Sequence, residues 1–176
     1  QGRAWERDVS IELLDFPGAP DIQVDAGIRI QGSASRSTTR PKHNLRLIFR
    51  GEYGPTKLDY PLFGDTVVQQ FDQINLRGGN GDSWIHPNAT QRTDAQYIRD
   101  QWHRDAQVAM GHTTSAQAYA HLYINGLYWG LYNLVERPDA ASGAGATRDR
   151  VAAGDVGVGA PVDVEPRALG ALEEDV

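Results

Sequence analysis

The feature that most constrains this chain is an unbroken period-two alternation: Ile22, Val24, Ala26, Ile28 and Ile30 put an apolar residue at every second position. Only an extended strand gathers such a set on one face, because successive side chains of a strand point to opposite sides. The same pattern recurs at Val9, Ile11 and Leu13, at Leu45, Leu47 and Phe49, and in short form at Ile74 and Leu76. Two further runs, 119–124 and 127–135, flank Asn125-Gly126, a pair that tolerates positive φ at both central positions and so predicts a two-residue hairpin turn. One main helix is expected over 94–110, with Thr93 as its N-cap and Gly111 as its left-handed stop. Its apolar stripe would be Ala95, Ile98, Trp102, Ala106 and Ala109, with Asp105 inside that arc, Asp94 just beside it and Asp100 nearly opposite. An acid on a packed face needs a partner, since an unpaired buried charge costs several kcal/mol. The expected fold class is α+β, an antiparallel sheet of five or six strands with one main helix against it.

The chain has two unlike parts. All fifteen aromatics lie at or before Tyr132, and from Ala140 to Val176 there are nine Ala, six Gly and seven acids against three Arg. With no sustained apolar period to bury a face, this stretch reads as a poorly ordered tail. The domain reading is therefore a folded unit over 1–139 and a tail over 140–176. The tail reads either as an acidic linker or, from about Ala141, as a shifted-frame translation of GC-rich DNA, which is rich in codons for Ala, Gly, Val, Arg and Asp. Opening on Gln1 rather than Met, the sequence reads as a fragment.

Composition removes several classes of function. With 23 acids against 17 Lys and Arg, the chain has a net charge of −6, which argues against sequence-blind binding of nucleic acid. No apolar run approaches the roughly 18 residues of a membrane span, and no basic-then-apolar start marks a signal peptide. Zero Cys excludes disulfides, thiolate-bound metal and thiol catalysis. The five His are scattered without a metal-binding spacing, so no metal ligand is expected in this chain.

Two stretches stand above background. In the first, residues 27–49, a strand leads into a loop with Gly32, Ser33, Ala34, Ser35 and Arg36, and then to Lys42 and a second strand. Small residues and hydroxyls let donors approach an anion closely, although such a loop also serves as a plain turn. Lys42 is one of two Lys beside fifteen Arg, and a compact ammonium suits phosphate oxygens. In the second, Tyr123, Tyr128, Trp129 and Tyr132 run through the Asn125-Gly126 hairpin. Those aromatics either pack a sheet or, on a non-catalytic β-rich module of an exported bacterial protein, bind glycan or another protein through Tyr128, Trp129 and Tyr132. Loop 78–82 reads as a turn, and no nucleophile elbow is present.

Read in order, GIRIQGSASR, PKHNLRLIFR, YGPTKLDYPLF, FDQINLRGGNGDSW, YIRDQW and LYINGLYWGLYNLVERPDA resemble the CotH kinase family, the atypical protein kinases named for spore-coat protein H, over about Val9 to Ala140. The resemblance implies a protein-kinase-like N-terminal lobe with ATP and Mg in the cleft below it. Gly32, Ser33, Ser35 and Arg36 would cover the phosphates, although Gln31 stands where Arg is frequent and Ala34 where Ser is. Lys42 would orient the phosphates, paired with an acid on the helix. The wheel nominates Asp105 or Asp94 for that acid, whereas the YIRDQW block points to Asp100. Val135, Glu136 and Arg137 would form the hinge that meets adenine. The family's catalytic and metal-binding Asp would follow the hinge, where Asp155, Asp163 and Asp175 sit in unlike sequence, so this chain is expected to be inactive alone. The resemblance further implies a protein substrate and a spore-coat or cell-surface location. A lone lobe would also expose apolar surface and self-associate.

Overall fold

The computed structural model describes residues 2–64, 69–112, 114–137 and 161–165. In chain order the strands are β1 (Arg7–Leu13), β2 (Ile22–Gln31), β3 (Asn44–Ile48), β4 (Leu58–Asp59), β5 (Gln70–Phe71), β6 (Gln73–Arg77), β7 (Gln117–Ile124), β8 (Leu127–Glu136) and β9 (Pro161–Glu165). Helices α1 (Ala89–Asp94) and α2 (Arg99–Ala109) lie between β6 and β7. Six strands pair antiparallel as a curled sheet in the order β1-β2-β3-β6-β8-β7. Strand β9 joins the two edges, antiparallel to β1 and parallel to β7, and closes a barrel. Strands β4 and β5 form a small separate pair.

The alternating residues of the sequence line the interior. Val9, Ile11 and Leu13 of β1, Ala26 and Ile28 of β2, Leu47 of β3, Ile74 and Leu76 of β6, Leu122 of β7, and Tyr132 and Leu134 of β8 form one buried cluster. At roughly 1.5–3 kcal/mol for each large side chain, this interior dominates the stability of the sheet. The hairpin forms as expected, with Ile124 facing Leu127 across Asn125 and Gly126, both at positive φ. Beyond it the register slips between Leu122 and Tyr123, so that Leu122 faces Gly130 and Tyr123 faces Tyr128. Trp129 is the extra residue of this bulge.

Three expectations need correction. The one main helix is present as α2 but begins at Arg99 rather than Asp94, and Thr93 is not its N-cap: Thr93 and Asp94 belong to the short helix α1, which Asn88 caps by accepting from Gln91 N at 3.0 Å and which the extended Ala95 ends. Thr93 instead lies in the last turn of α1, its hydroxyl donating to Ala89 O at 3.2 Å. Gly111 does follow α2 at positive φ. Secondly, the stripe is not a packed face, since Ile98 and Trp102 are 62% and 63% exposed. The half-buried positions of α2 are Asp100, Gln101, Arg104, Ala106 and Val108, of which Asp100 pairs with Arg77 on an outer sheet face that mixes polar side chains with the buried Tyr119 and Val135. Thirdly, Tyr132 does not belong to an aromatic surface; it is 1% exposed in the barrel core, while Tyr128 and Trp129 remain outside on the bulge. Within the tail, Pro161–Glu165 is a paired strand, whereas the expectation of poor order for the rest lies outside the described residues.

Candidate functional site

The anion-suited loop is tied to the residues that directly follow Lys42. After β2 the chain turns at Gly32 into a single 3-10 turn over Ala34–Arg36, which leaves Gly32, Ser33 and Arg36 exposed and buries Ser35. The buried Ser35 ties this loop to the start of β3: its hydroxyl accepts from Asn44 N, and its carbonyl meets His43 Nδ1. Asn44 in turn accepts from Gly78 N at 2.7 Å, while Asn80 donates to Lys42 O at 2.6 Å. Three loops, 32–36, 40–44 and 78–80, are thereby laced into one surface.

Lys42 reaches out of that surface over β8. Strand β6 covers β8 only as far as Arg77 opposite Asn133, so the Leu131 carbonyl lies beyond the end of β6. Lys42 Nζ donates to it at 2.6 Å and Tyr97 OH donates to it at 2.7 Å, replacing the missing ladder bond. The ammonium also sits 4.2 Å from the centre of the Tyr132 ring, a cation–π contact against the core side of the strand. The bulge makes this possible. Gly130 has a φ of 107°, and a Cβ there would stand 3.5 Å from Lys42 Nζ. Burial, with no carboxylate to offset it, lowers the Lys42 pKa to about 8. Burial likewise raises the Tyr132 hydroxyl to about 12.

A family model described as CotH kinase protein matches residues 28–146, more than half of the sequence. The chain belongs to the CotH kinase family. No curated protein and no solved structure is a significant match. In this CotH kinase chain the match opens inside β2 and takes in the loop 32–36, Lys42, both helices and the β7–β8 hairpin.

The three candidate acids take different places. Asp100 lies on the half-buried side of α2 and pairs with Arg77 of β6, and with Arg104 at 3.5 Å. Asp105 is exposed on α2. Asp94 ends α1, its carbonyl accepting from Arg99 at 3.4 Å. Among the described residues Lys42 makes no ion pair, and the strand cation that meets a helix acid is Arg77. Val135 and Glu136 are buried in β8, with Glu136 N donating to Ala116 O at 2.9 Å and its Oε2 accepting from Ala116 N at 3.1 Å. Arg137 is exposed and donates to Gln73 Oε1 at 2.8 Å. Among the described residues no group of three His, Asp or Glu is placed to hold a metal ion, and no helix is long and apolar enough to cross a membrane.

Sequence reasoning missed Arg77, Tyr97 and Arg46. A readable signal existed for Arg46, a charge between Leu45 and Leu47 in an alternating strand, which must point away from the core. Tyr97 carried no such signal, since its role depends on Gly79, against which its ring packs.

Proposed function

We propose that residues 1–139 are the ATP-binding, N-terminal-lobe portion of a CotH-type atypical protein kinase, and that the 176-residue polypeptide by itself binds nucleotide without transferring phosphate. The observation that supports the reading is that the Ser35 loop is tied to His43 and Asn44, the two residues directly after Lys42, in a family of kinases. Ser33 and Arg36 remain exposed as donors beside them. These residues fit a phosphate group: a small loop, an exposed guanidinium, and an ammonium whose charge is unneutralised among the described residues and would gain from an anion. ATP, when bound with Mg, would supply the transferable phosphoryl group.

In this reading Asp100, facing Arg77, is the preferred acid of the lobe's helix, with Asp94 and Asp105 as alternatives, and Val135, Glu136 and Arg137 are the adenine-side segment. The substrate class is protein Ser or Thr, and the setting a spore coat or cell surface. Exposed Ile98, Trp102 and Met110 on the helix side offer a surface for self-association, which sizing across concentration checks. The deciding experiment is thermal unfolding with Mg-ATP. A rise in Tm that Lys42→Ala abolishes supports nucleotide binding, and no rise at millimolar Mg-ATP overturns it. Lys42-dependent incorporation of labelled phosphate by the isolated chain would overturn the inactivity. A shift with a glycan panel and none with ATP would favour a binding module built on Tyr128 and Trp129, which are 56% and 43% exposed.

A further inference from the structure

The opposite face of the same strands carries a second concentration of positive charge. Arg29 of β2 stands directly across from Arg46 of β3, and Arg46 directly across from Asn75 of β6. Like charges facing one another on adjacent strands repel, so this pair costs stability unless something neutralises it. Arg29 is neutralised: the buried carboxylate of Glu6 accepts from Arg29 at 2.8 Å and from Arg50 at 2.6 Å. Arg46 is not. Its Nε donates only to amide oxygens, Gln31 Oε1 and, at 3.2 Å, Asn75 Oδ1, and its two terminal nitrogens meet no acceptor among the described residues.

Amide oxygens hold a guanidinium in place without cancelling its charge, which leaves the terminal fork aimed and unspent. Arg137 closes the third side, held beside Gln73 and adding its own repulsion to that of Arg29. Burial first, then Arg137 and Arg29, lower the Arg46 pKa to about 10, so the group stays charged at neutral pH. In a chain with a net charge of −6, Arg46 thus sits between Arg29 and Arg137, while the Glu6 carboxylate that partly opposes them is already shared by Arg29 and Arg50.

We infer that the outer face of β2, β3 and β6, centred on Arg46 between Arg29 and Arg137, is a binding site for a phosphate-bearing anion. A planar fork with two free nitrogens matches two oxygens of a phosphate, and Arg137 supplies a second cation at the rim. This site is centred away from Lys42, although it shares Arg137 with the adenine-side segment of the nucleotide reading. Lys42 lies against the core side of β8 at the barrel end, whereas Arg46 points outward between the inward Leu45 and Leu47.

Calorimetric titration of the full chain with pyrophosphate at low ionic strength tests the inference. Two pyrophosphate components are expected: one weakens steeply with added salt, is lost in Arg46→Gln, is weakened roughly tenfold in Arg137→Gln and persists in Lys42→Met, and the other is the Lys42 site of the nucleotide reading. Should Arg46→Gln not fold, Arg137→Gln carries the test, because that side chain is exposed and holds only Gln73. Absence of pyrophosphate binding, or binding unchanged by Arg137→Gln, overturns the site. A parallel titration with ATP separates the sources. Weakening of ATP and pyrophosphate together by Arg46→Gln, or by Arg46→Lys should the first not fold, makes a nucleotide's phosphates the occupant, since Arg46 lies outside the adenine-side segment, and weakening of pyrophosphate alone makes it a small phosphate. Loss of ATP binding in Lys42→Met with the Arg46 component of pyrophosphate binding intact keeps the two sites distinct.

Discussion

On β6, Ile74 and Leu76 point into the barrel and are 1% and 0% exposed, while Gln73 and Asn75 meet the guanidiniums of Arg137 and Arg46, and Arg77 meets Asp100 of α2. The same contrast holds across the sheet, with Leu47 inside and Arg46 outside on β3, and Leu134 inside and Asn133 outside on β8. The inner face is apolar apart from the hydroxyls of Tyr60 and Tyr132. The outer face mixes buried Tyr119 and Val135 with polar groups, and among the described residues Asn133 Oδ1, Gln117 Nε2 and Gln101 Oε1 have no hydrogen-bond partner. Burial therefore does not mark the source of stability here. The interior supplies it, whereas the helix seam spends part of it on holding charged groups in fixed positions.

The largest effect should come from the interior. Leu76→Ala removes a side chain with no exposure from the centre of the core and is expected to cost about 2–5 kcal/mol in urea unfolding. A loss below about 1 kcal/mol would mean that the barrel is not the stabilising unit.

Lys42 stands between the two faces and gives an intermediate effect with a pH signature. Between its folded value of about 8 and its ordinary 10.5 the unfolded chain binds more protons, so stability should rise as pH climbs through 8 toward 10. Above about 10 the sign reverses, because burial holds Tyr119 and Tyr132 near 12 and keeps their protons in the fold after the unfolded chain has lost them. Lys42→Met should flatten the rise between 8 and 10 relative to the parent chain. Unfolding midpoints across that window check it, and an identical slope in both proteins would show that the ammonium is not desolvated.

The smallest effect belongs to the outer surface of α2. Trp102→Ala is expected to change stability by no more than about 0.5 kcal/mol despite the size of the side chain, because the indole is 63% exposed. A loss above about 2 kcal/mol would restore the stripe of Ile98, Trp102 and Ala106 as a packing face.

Six strands were legible because alternation is a direct record of which side of a strand faces the core, and the Asn125-Gly126 turn because its backbone requirement is local. The break between α1 and α2 was not legible. No Pro or Gly stands within 89–109, and the interruption accompanies Tyr97, whose ring packs on Gly79 and whose hydroxyl caps the Leu131 carbonyl. The helix stripe misled because the wheel assumes that the apolar arc faces the sheet, whereas here the half-buried side of α2 is set by Asp100, which pairs with Arg77 of β6. Strand β9 escaped because Val162 and Val164 offer only two alternating positions inside an Ala- and Gly-rich stretch. At the candidate site, scarcity pointed to Lys42, but its partner could not be read, since the proximity of Leu131 depends on where β6 ends and β8 bulges.

The closing pairs of the barrel join Ser10 with Glu165 and Leu13 with Val162, residues near opposite ends of the sequence. Contacts that span so much chain are entropically the last to form, so β1 and β7 must wait as open edges while the hairpins between them are already complete. Ring closure is thus a late event on the folding pathway. Substitutions in β9 should speed unfolding far more than they slow folding, and the time before closure is when the bare edges of β1 and β7 are available to other chains.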